Sequence, residues 1–271
     1  MDEQTAEVEL FHTTTQIEGK QGMSKIEVLI AGETWVSYAI HQKGFNAFTT
    51  GSYEEGATPL IEALKEGGIE VTHMKNHEAG LLFPSTYEEI ERYRVIVLSD
   101  IGSDTLQLHP DTFFRSKPTP DRLKLLKHYV EEGGGFLMIG GYLSFQGYGG
   151  SGHYRFTPIE EILPVKLFEG DDRVELPSGF KPKVVKQHPI VQGIPESWPL
   201  LLGYNKLVPE GEVIVNAEGT DPLLVIGRNG KGRTAAFSSD CSPHWGSPEF
   251  VNWEYYGRFW KNLVEWLAAV R

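Results

Sequence analysis

The sequence is poor in cysteine, in long apolar runs and in basic residues, and each scarcity excludes a class of protein. A single cysteine, Cys241, in 271 residues allows no intramolecular disulfide and no cluster of thiolate zinc ligands within one chain. No apolar run approaches the ~18 residues of a membrane helix, and residues 1–22 lack the apolar segment of a signal peptide. We therefore expect a cytoplasmic protein that is neither secreted nor inserted in a membrane.

Basic residues are outnumbered by acidic ones. The chain has 25 Lys and Arg against 37 Asp and Glu, and its formal net charge is -12. Because such a field repels phosphate backbones, we expect no nucleic-acid partner. The histidines His109, His153 and His188 show no metal-ligand spacing, and the glycine-rich segment 147–152 lacks the Lys-Ser/Thr of a phosphate loop. We therefore predict no metal and no cofactor.

The length and the 40% hydrophobic content suit one globular domain, which we place at residues 23–271. Residues 1–22 show little periodic hydrophobicity and are predicted to be a peripheral N-terminal extension. Two alternatives stay open for this segment: Met23 is the natural start, or residues 8–14 form an edge strand.

From Lys25 onward, short apolar runs alternate with segments of helical periodicity. The predicted strands are 26–31, 69–74, 95–100 and 136–139, and the predicted helices are 57–66, 87–92 and one from Pro120-Asp121 to the glycines at 133–135. This alternation is typical of an α/β protein with a doubly wound, mostly parallel sheet and right-handed crossovers. In such folds ligands bind beyond the carboxyl ends of the strands.

The second half has a different pattern. Residues 158–209 are rich in Pro and Gly and are predicted to be a β-rich elaboration packed on the sheet. Strands follow at 212–216, 223–227 and 233–238, the last two joined by a turn at 228–232. Residues 250–270 are predicted to be one long helix, whose aromatic residues we interpret as core rather than as a cofactor site.

The segment 238–246, directly after a predicted strand, carries the chemistry of a nucleophilic site. Cys241 needs a base to become a thiolate, and His244 lies three residues further along. The alternative is that Cys241 is a small buried apolar residue while Asp240 and Ser242 cap the turn.

A second candidate segment follows strand 136–139. Gly140 and Gly141 before Tyr142 match a nucleophile elbow, in which small residues let the chain turn sharply and present one side chain. Tyr142 is a hydrogen-bond donor or acid rather than a nucleophile, since a phenol has a pKa near ~10. Ser144 is the nearest hydroxyl nucleophile, and the backbone amides of Gly140 and Gly141 are candidate anion donors.

Two acidic residues also follow strands. Glu33 comes after the first strand and Asp100 ends the third, so both are expected at the same sheet edge as the two segments above. Their alternative role is helix capping or turn formation. Together with Gly140, Gly141, Ser144 and Asp240, they are the predicted ligand-binding residues.

These motifs resemble a known family. The strand ending in Ala31-Gly32-Glu33, the segment 133–141 and the run 239–246 are similar to the class I glutamine amidotransferase-like superfamily, and within it to the putative glutamine amidotransferase group of bacterial cytoplasmic proteins. The resemblance covers most of 23–271. It implies a flavodoxin-like α/β fold, a cytoplasmic location and a homo-oligomer.

The resemblance also implies a catalytic triad, from which this chain departs. Members of the superfamily release ammonia from glutamine with a cysteine at the elbow and a downstream histidine and glutamate. Here the elbow position is Tyr142, His244 matches the histidine, and Glu249 matches the acid only with a widened gap. Cys241 does not occupy the position of the family nucleophile, so standard glutaminase activity is not expected.

Three functions are therefore weighed. The first is a protein that binds an unknown small molecule, or carries out an altered hydrolysis, without the standard triad. The second is an amide hydrolase that uses Cys241 as nucleophile and His244 as base, with the backbone amides of the Gly140-Gly141 turn as an oxyanion hole. Tyr142 and Glu249 are the further catalytic candidates. The third is a non-catalytic interaction subunit, whose acidic surface and aromatic C-terminal helix meet a partner.

Overall fold

The fold is centred on an eight-stranded sheet with helices on both faces. The computed structural model describes residues 25–269, so the predicted extension at 1–22 and the alternative strand at 8–14 lie outside the described residues. The strands of the sheet stand in the order β4-β1-β5-β6-β14-β13-β12-β9.

The first five strands in that order are parallel. They are β4 (Glu70–Met74), β1 (Glu27–Gly32), β5 (Val95–Ser99), β6 (Gly135–Ile139) and β14 (Gly232–Phe237). In β5 and β6 every residue is buried, as expected for strands covered on both faces. The α/β class with a large, mostly parallel sheet is therefore confirmed.

The remaining strands extend the sheet antiparallel or form small sheets beside it. β13 (Pro222–Asn229), β12 (Glu212–Asn216) and β9 (Lys183–Val184) complete the large sheet. β8 (Arg173–Phe180) pairs with β10 (Leu201–Asn205), and β7 (Val165–Leu167) pairs with β11 (Leu207–Pro209). These short pairs are the β-rich elaboration that the sequence predicts.

Helices cover both faces of the sheet and bury two separate apolar clusters. The helices are α1 (Thr58–Glu66), α2 (Asn76–Leu82), α3 (Tyr87–Ile90), α4 (Ser103–Gln107), α5 (Pro110–Arg115), α6 (Arg122–Glu131), α7 (Pro248–Val251) and α8 (Tyr256–Ala268). One cluster contains Leu60 of α1 and Leu263 of α8, and the other contains Ala79 of α2 and Leu126 of α6. No helix in the described part of the chain is long and apolar enough to cross a membrane.

The C-terminal helix differs from its prediction. Instead of one helix over 250–270, α7 and α8 are separate, with a break at 252–255. At the break Trp253 packs against Trp198 and Phe250, which fills the space beside the sheet. The aromatic face of α8 is buried, with Phe259 and Trp260 fully inaccessible, as the core interpretation expects.

The sequence analysis did not predict two long strands. β2 (Thr34–Lys43) and β3 (Asn46–Glu55) form an antiparallel hairpin, which we call the arm. It is a separate two-stranded sheet, and nearly all of its residues are exposed. The missed signal is a run of β-branched and aromatic residues broken by Lys43-Gly44, which is typical of a hairpin.

Candidate functional site

The carboxyl edge of the parallel strands brings the predicted residues together. Glu33 follows β1, Asp100 follows β5, Tyr142 follows β6 and Asp240 follows β14. Glu33 and Asp100 have positive φ angles of 56° and 43°. A non-glycine residue in this left-handed region is uncommon and costs energy, and such residues cluster at functional sites.

Two buried hydroxyls fix the carboxyl group of Glu33. Ser99 Oγ donates to its Oε2 at 2.5 Å, and Ser242 Oγ donates to its Oε1 at 2.9 Å. Ser242 Oγ also lies 3.3 Å from Oδ1 of Asp240, which accepts the backbone amide of Ser242 at 3.0 Å. One hydroxyl thus bridges two carboxyl groups, and Glu33 and Asp240 are each almost fully buried.

These carboxyl groups hold protons unusually strongly. Burial raises the pKa of Glu33 well above its usual value, and the nearby charges of Asp240 and Asp100 raise it further. Burial, together with Asp100, raises the pKa of Asp240 to about 8. Burial also raises the pKa of Asp100, against the hydrogen bond from the Leu143 amide to its Oδ1 at 2.6 Å. At neutral pH Asp240 is therefore largely protonated.

His244 lies beside this cluster and remains neutral. Its Nδ1 is 3.7 Å from Oδ2 of Asp240, and burial lowers its pKa. Its ring packs edge to face on Tyr142, with centroids 4.3 Å apart, and stacks on Trp245. A neutral imidazole next to a protonated carboxyl group places a base and an acid side by side.

Tyr142 is held by residues that the sequence analysis missed. Its hydroxyl donates to Oε1 of Glu175 at 2.8 Å, and Oε2 of Glu175 accepts from Nε1 of Trp245 at 3.0 Å. The Arg173 guanidinium lies over the rings of Tyr142 and Tyr148. Burial, followed by Glu175, raises the pKa of Tyr142, which keeps the phenol protonated. Glu175 and Arg173 belong to β8, far from any strand-end motif, so no local signal marks them.

Gly140, Gly141 and Ser144 form hydrogen bonds that hold the backbone around the site in place. Gly140 N donates to the carbonyls of Phe237 and Ser239, and Gly141 N donates to Oδ1 of Asn205 at 3.0 Å. An oxyanion would have to compete with these acceptors for either amide. Ser144 is buried, and its Oγ accepts the amide of Asp100 at 3.0 Å, which supports the strained turn there.

Glu249 lies apart from the histidine that the resemblance pairs it with. It is exposed in the first turn of α7, and the carboxylate that faces the His244 ring is Asp240. Asp240 follows β14 within the same loop as His244, so its position is set by the strand end rather than by a family spacing.

Cys241 is a buried residue of the hydrophobic core. It has no accessible surface, and its Sγ lies 3.9 Å from Ser99 Oγ while its carbonyl accepts the Tyr256 hydroxyl at 2.7 Å. Burial, with the charges of Glu33 and Asp240, raises the pKa of the thiol well above its usual value. A thiol in this setting stays protonated and is a poor nucleophile.

We therefore expect Cys241 to resist alkylation. Between pH 6 and 9 the folded protein should react with iodoacetamide at least about 100-fold more slowly than the protein unfolded in urea, because the thiol is both buried and protonated. The readout is the mass of the intact chain, which has one cysteine. Rapid alkylation of the folded protein below pH 8, slowed in His244→Ala, would instead identify an activated nucleophile.

Metal binding by this cluster has limited support. Ligand atoms of Glu33, Asp240 and Cys241 lie within 4.8 Å of one another, close enough to hold one ion. However, hydroxyls occupy both oxygens of Glu33, and the raised pKa values of all three groups favour their protonated forms, which do not ligate metals. The expectation of a site without metal stays a prediction.

A cavity of about 470 Å³ opens over the carboxyl groups. Such a volume suits a small molecule. Its floor is acidic and its walls are mainly aromatic and apolar; the lining residues are Glu33, Trp35, Asp100, Tyr142, Leu143, Tyr148, Ser151, Asp240, Pro243 and His244. Trp35 and Tyr148 are further residues that the sequence analysis did not single out.

Known proteins resemble this chain over nearly all of its described length. The model of a family described as putative glutamine amidotransferase matches residues 27–269. A cytoplasmic protein from Salmonella typhimurium is 45% identical, with a TM-score of 0.86 over 89% of this chain and 98% of its own. A second, from Salmonella typhimurium LT2, is 46% identical with the same TM-score, over 89% and 99%.

A more distant match bears on the fold alone. A putative ThuA-like protein from Parabacteroides merdae is 12% identical, with a TM-score of 0.56 over 90% of each chain. No curated protein matches the chain.

Proposed function

The chain belongs to the family of putative glutamine amidotransferases, and from that premise we propose that it binds a small molecule in the cavity and acts there by proton transfer rather than by cysteine chemistry. One observation carries the proposal. His244, Asp240 and Glu33 meet at one cavity wall, where burial lowers the pKa of the imidazole and raises the pKa values of the two carboxyl groups, while the only thiol of the chain is buried.

The geometry suits general acid–base chemistry at a bound molecule. His244 is half-exposed to the cavity, so its ring can take a proton from a water or a substrate hydroxyl there. Oδ2 of Asp240 lies 3.7 Å from Nδ1, so the ionised form of this carboxyl group, which a pKa of about 8 leaves as a minor fraction at neutral pH, would stabilise the imidazolium that forms. Asp100 lines the same cavity, and burial raises the pKa of its carboxyl group, which makes it the candidate proton donor for a leaving group.

The two other functions have less support. An amide hydrolase built on Cys241 needs an accessible thiolate and free amides at Gly140 and Gly141, whereas the thiol is buried and those amides are engaged. An interaction subunit that uses the aromatic C-terminal helix needs that face exposed, whereas it is buried. The names of the Salmonella relatives support a cytoplasmic location for this chain as well.

The first test is ligand binding. A thermal-shift screen of small polar and cationic molecules should find compounds that raise the melting temperature of the wild type but not of Ser151→Trp, which fills the cavity mouth with an indole. A screen in which no compound separates the two proteins would contradict the proposed site.

The second test separates the two chemistries. Model amides, esters and glutamine are assayed with the wild type, His244→Gln and Cys241→Ala. Any turnover should fall at least about 100-fold in His244→Gln, which removes the base, and stay within about threefold in Cys241→Ala. Loss of turnover in Cys241→Ala with retention in His244→Gln, or cysteine-dependent release of ammonia from glutamine, would overturn the proposal.

A further inference from the structure

Within residues 25–269, the arm carries a group of large apolar side chains that no other described element covers. Its register places Val36, Tyr38, Ile40 and Tyr53 on one face of the ribbon, and Tyr38 and Ile40 are each 77% exposed. At its tip Phe45 is fully exposed, and on the other face Phe48 is half-exposed. Monomeric proteins rarely display so many large apolar side chains together.

A ribbon of this kind is not stable by its own contacts. It is about 33 Å long at ~3.3 Å per residue, and no strand among the described residues pairs with either of its long edges. It is tied to the body at its root, where Asn76 bonds Thr34 and Lys75 pairs with Glu55. An isolated two-stranded hairpin is marginal in water, so contact with a second surface would stabilise the rest of the arm.

The described part of the chain has a second group of exposed apolar side chains. We call it the helical patch; it consists of Leu81, Leu82, Leu108, Phe113 and Phe114 on and beside α2, α4 and α5. The buried Arg122 joins α2 to α4, since its guanidinium donates to the carbonyls of Ala79, Gly80 and Leu106, and α5 follows α4 directly along the chain. Phe114 is 78% exposed.

We propose that the arm of one copy of this chain docks on the helical patch of a second copy, and reciprocally, in a two-fold symmetric dimer. Such an interface is isologous, so one chain must carry both complementary surfaces, as this one does. At roughly 100 Å² of exposed surface for each large apolar side chain, arm and patch together cover about 1,000 Å² per copy. That exceeds the ~800 Å² per partner of a standard stable interface.

Charge also favours a second copy as the occupant. Residues 35–53 contain no Asp or Glu and include Lys43 and His41, whereas the whole chain has a net charge of -12. The outer part of the arm, residues 35–53, is thus attracted to the acidic body of another copy, and the two acidic residues of the arm, Glu54 and Glu55, lie at its root. The self-association predicted from the sequence would then depend on the arm.

Docking would also bear on the cavity, because the arm starts at the site. Trp35 lines the cavity and Glu33 precedes the arm, with its carbonyl accepting the amide of Gly56 at the arm's other end. The proposal itself rests on the arm and the patch, so it stands or falls independently of the proposed chemistry.

The test is the molar mass of the full chain by multi-angle light scattering across a dilution series. The wild type should be a dimer, with twice the 30.4 kDa of one chain. Tyr38→Glu combined with Ile40→Glu, and separately Phe114→Glu, should each weaken dimerisation at least about tenfold. Val208→Glu, an equally drastic change at an exposed apolar residue of β11, should leave the dimer unchanged.

Protection of Cys241 from alkylation shows that each variant still has a folded body. A monomeric wild type, or a dimer that tolerates the arm variants, would overturn the proposal. Cross-linking distinguishes the mode of docking: Ile40→Cys combined with Phe114→Cys should be joined between copies by a short bis-maleimide, and neither single variant should be. Efficient cross-linking of Ile40→Cys alone would show arm-on-arm pairing and overturn docking on the patch.

Discussion

Gly32→Ala is expected to lower the stability of the protein by about 4 kcal/mol or more, which is a large effect for a single methyl group. Gly32 has a φ of +107°, a backbone conformation that side chains rarely adopt, and a Cβ built there would lie 1.9 Å from the carbonyl oxygen of Ser99. That oxygen accepts the amide of Glu33 at 2.7 Å, so it cannot move without displacing the site.

The measurement is urea unfolding of the wild type and Gly32→Ala, with Gly44→Ala as the matched control. Gly44 also has a positive φ, of +59°, but a Cβ there meets no atom within 4 Å. Its replacement should cost only the backbone strain, about 1 kcal/mol. If Gly32→Ala costs no more than Gly44→Ala, then the close approach of β1 to the Ser99 carbonyl does not fix the site.

The second large effect expected is a fall in stability as the pH rises from 6.5 to 8. Asp240 has its pKa raised from 3.8 to about 8, and the pKa values of Glu33 and Asp100 are raised too. In this range the folded state therefore binds more protons than the unfolded state, and stability falls with pH by up to about 1.4 kcal/mol per unit for each group. His244, whose pKa is lowered, has the opposite effect, mainly below its ordinary pKa of 6.5.

Free energies of unfolding at pH 6.5, 7.25 and 8 give the slope. The wild type should lose about 1 to 2 kcal/mol over this interval, and Asp240→Asn should flatten the dependence because the amide does not titrate. Asp171→Asn is the control, since the Arg173 side chain lowers the pKa of Asp171 and that group stays ionised throughout. A wild-type stability that is level or rises over this interval would mean that the carboxyl groups are ionised in the folded state.

The sequence by itself determined the sheet and the edge at which the site lies. Apolar runs mark the strands of a buried parallel sheet because both faces must be covered, and glycine and capping residues mark where the helices stop. Since the carboxyl ends of parallel strands share one edge, residues at four strand ends, Glu33, Asp100, Tyr142 and Asp240, were expected together and do line one cavity.

Only the tertiary structure decided how deeply each group of the site is buried and which groups it contacts. The sequence left Cys241 open between nucleophile and buried residue, because desolvation depends on elements that are distant along the chain: Ser99 and Tyr256 enclose it. Glu175 reaches Tyr142 from β8 through a non-local strand pairing, which has no local signature. The exposure of the arm could likewise not be predicted from the sequence. An alternating pattern shows that strands form but not whether another surface covers them.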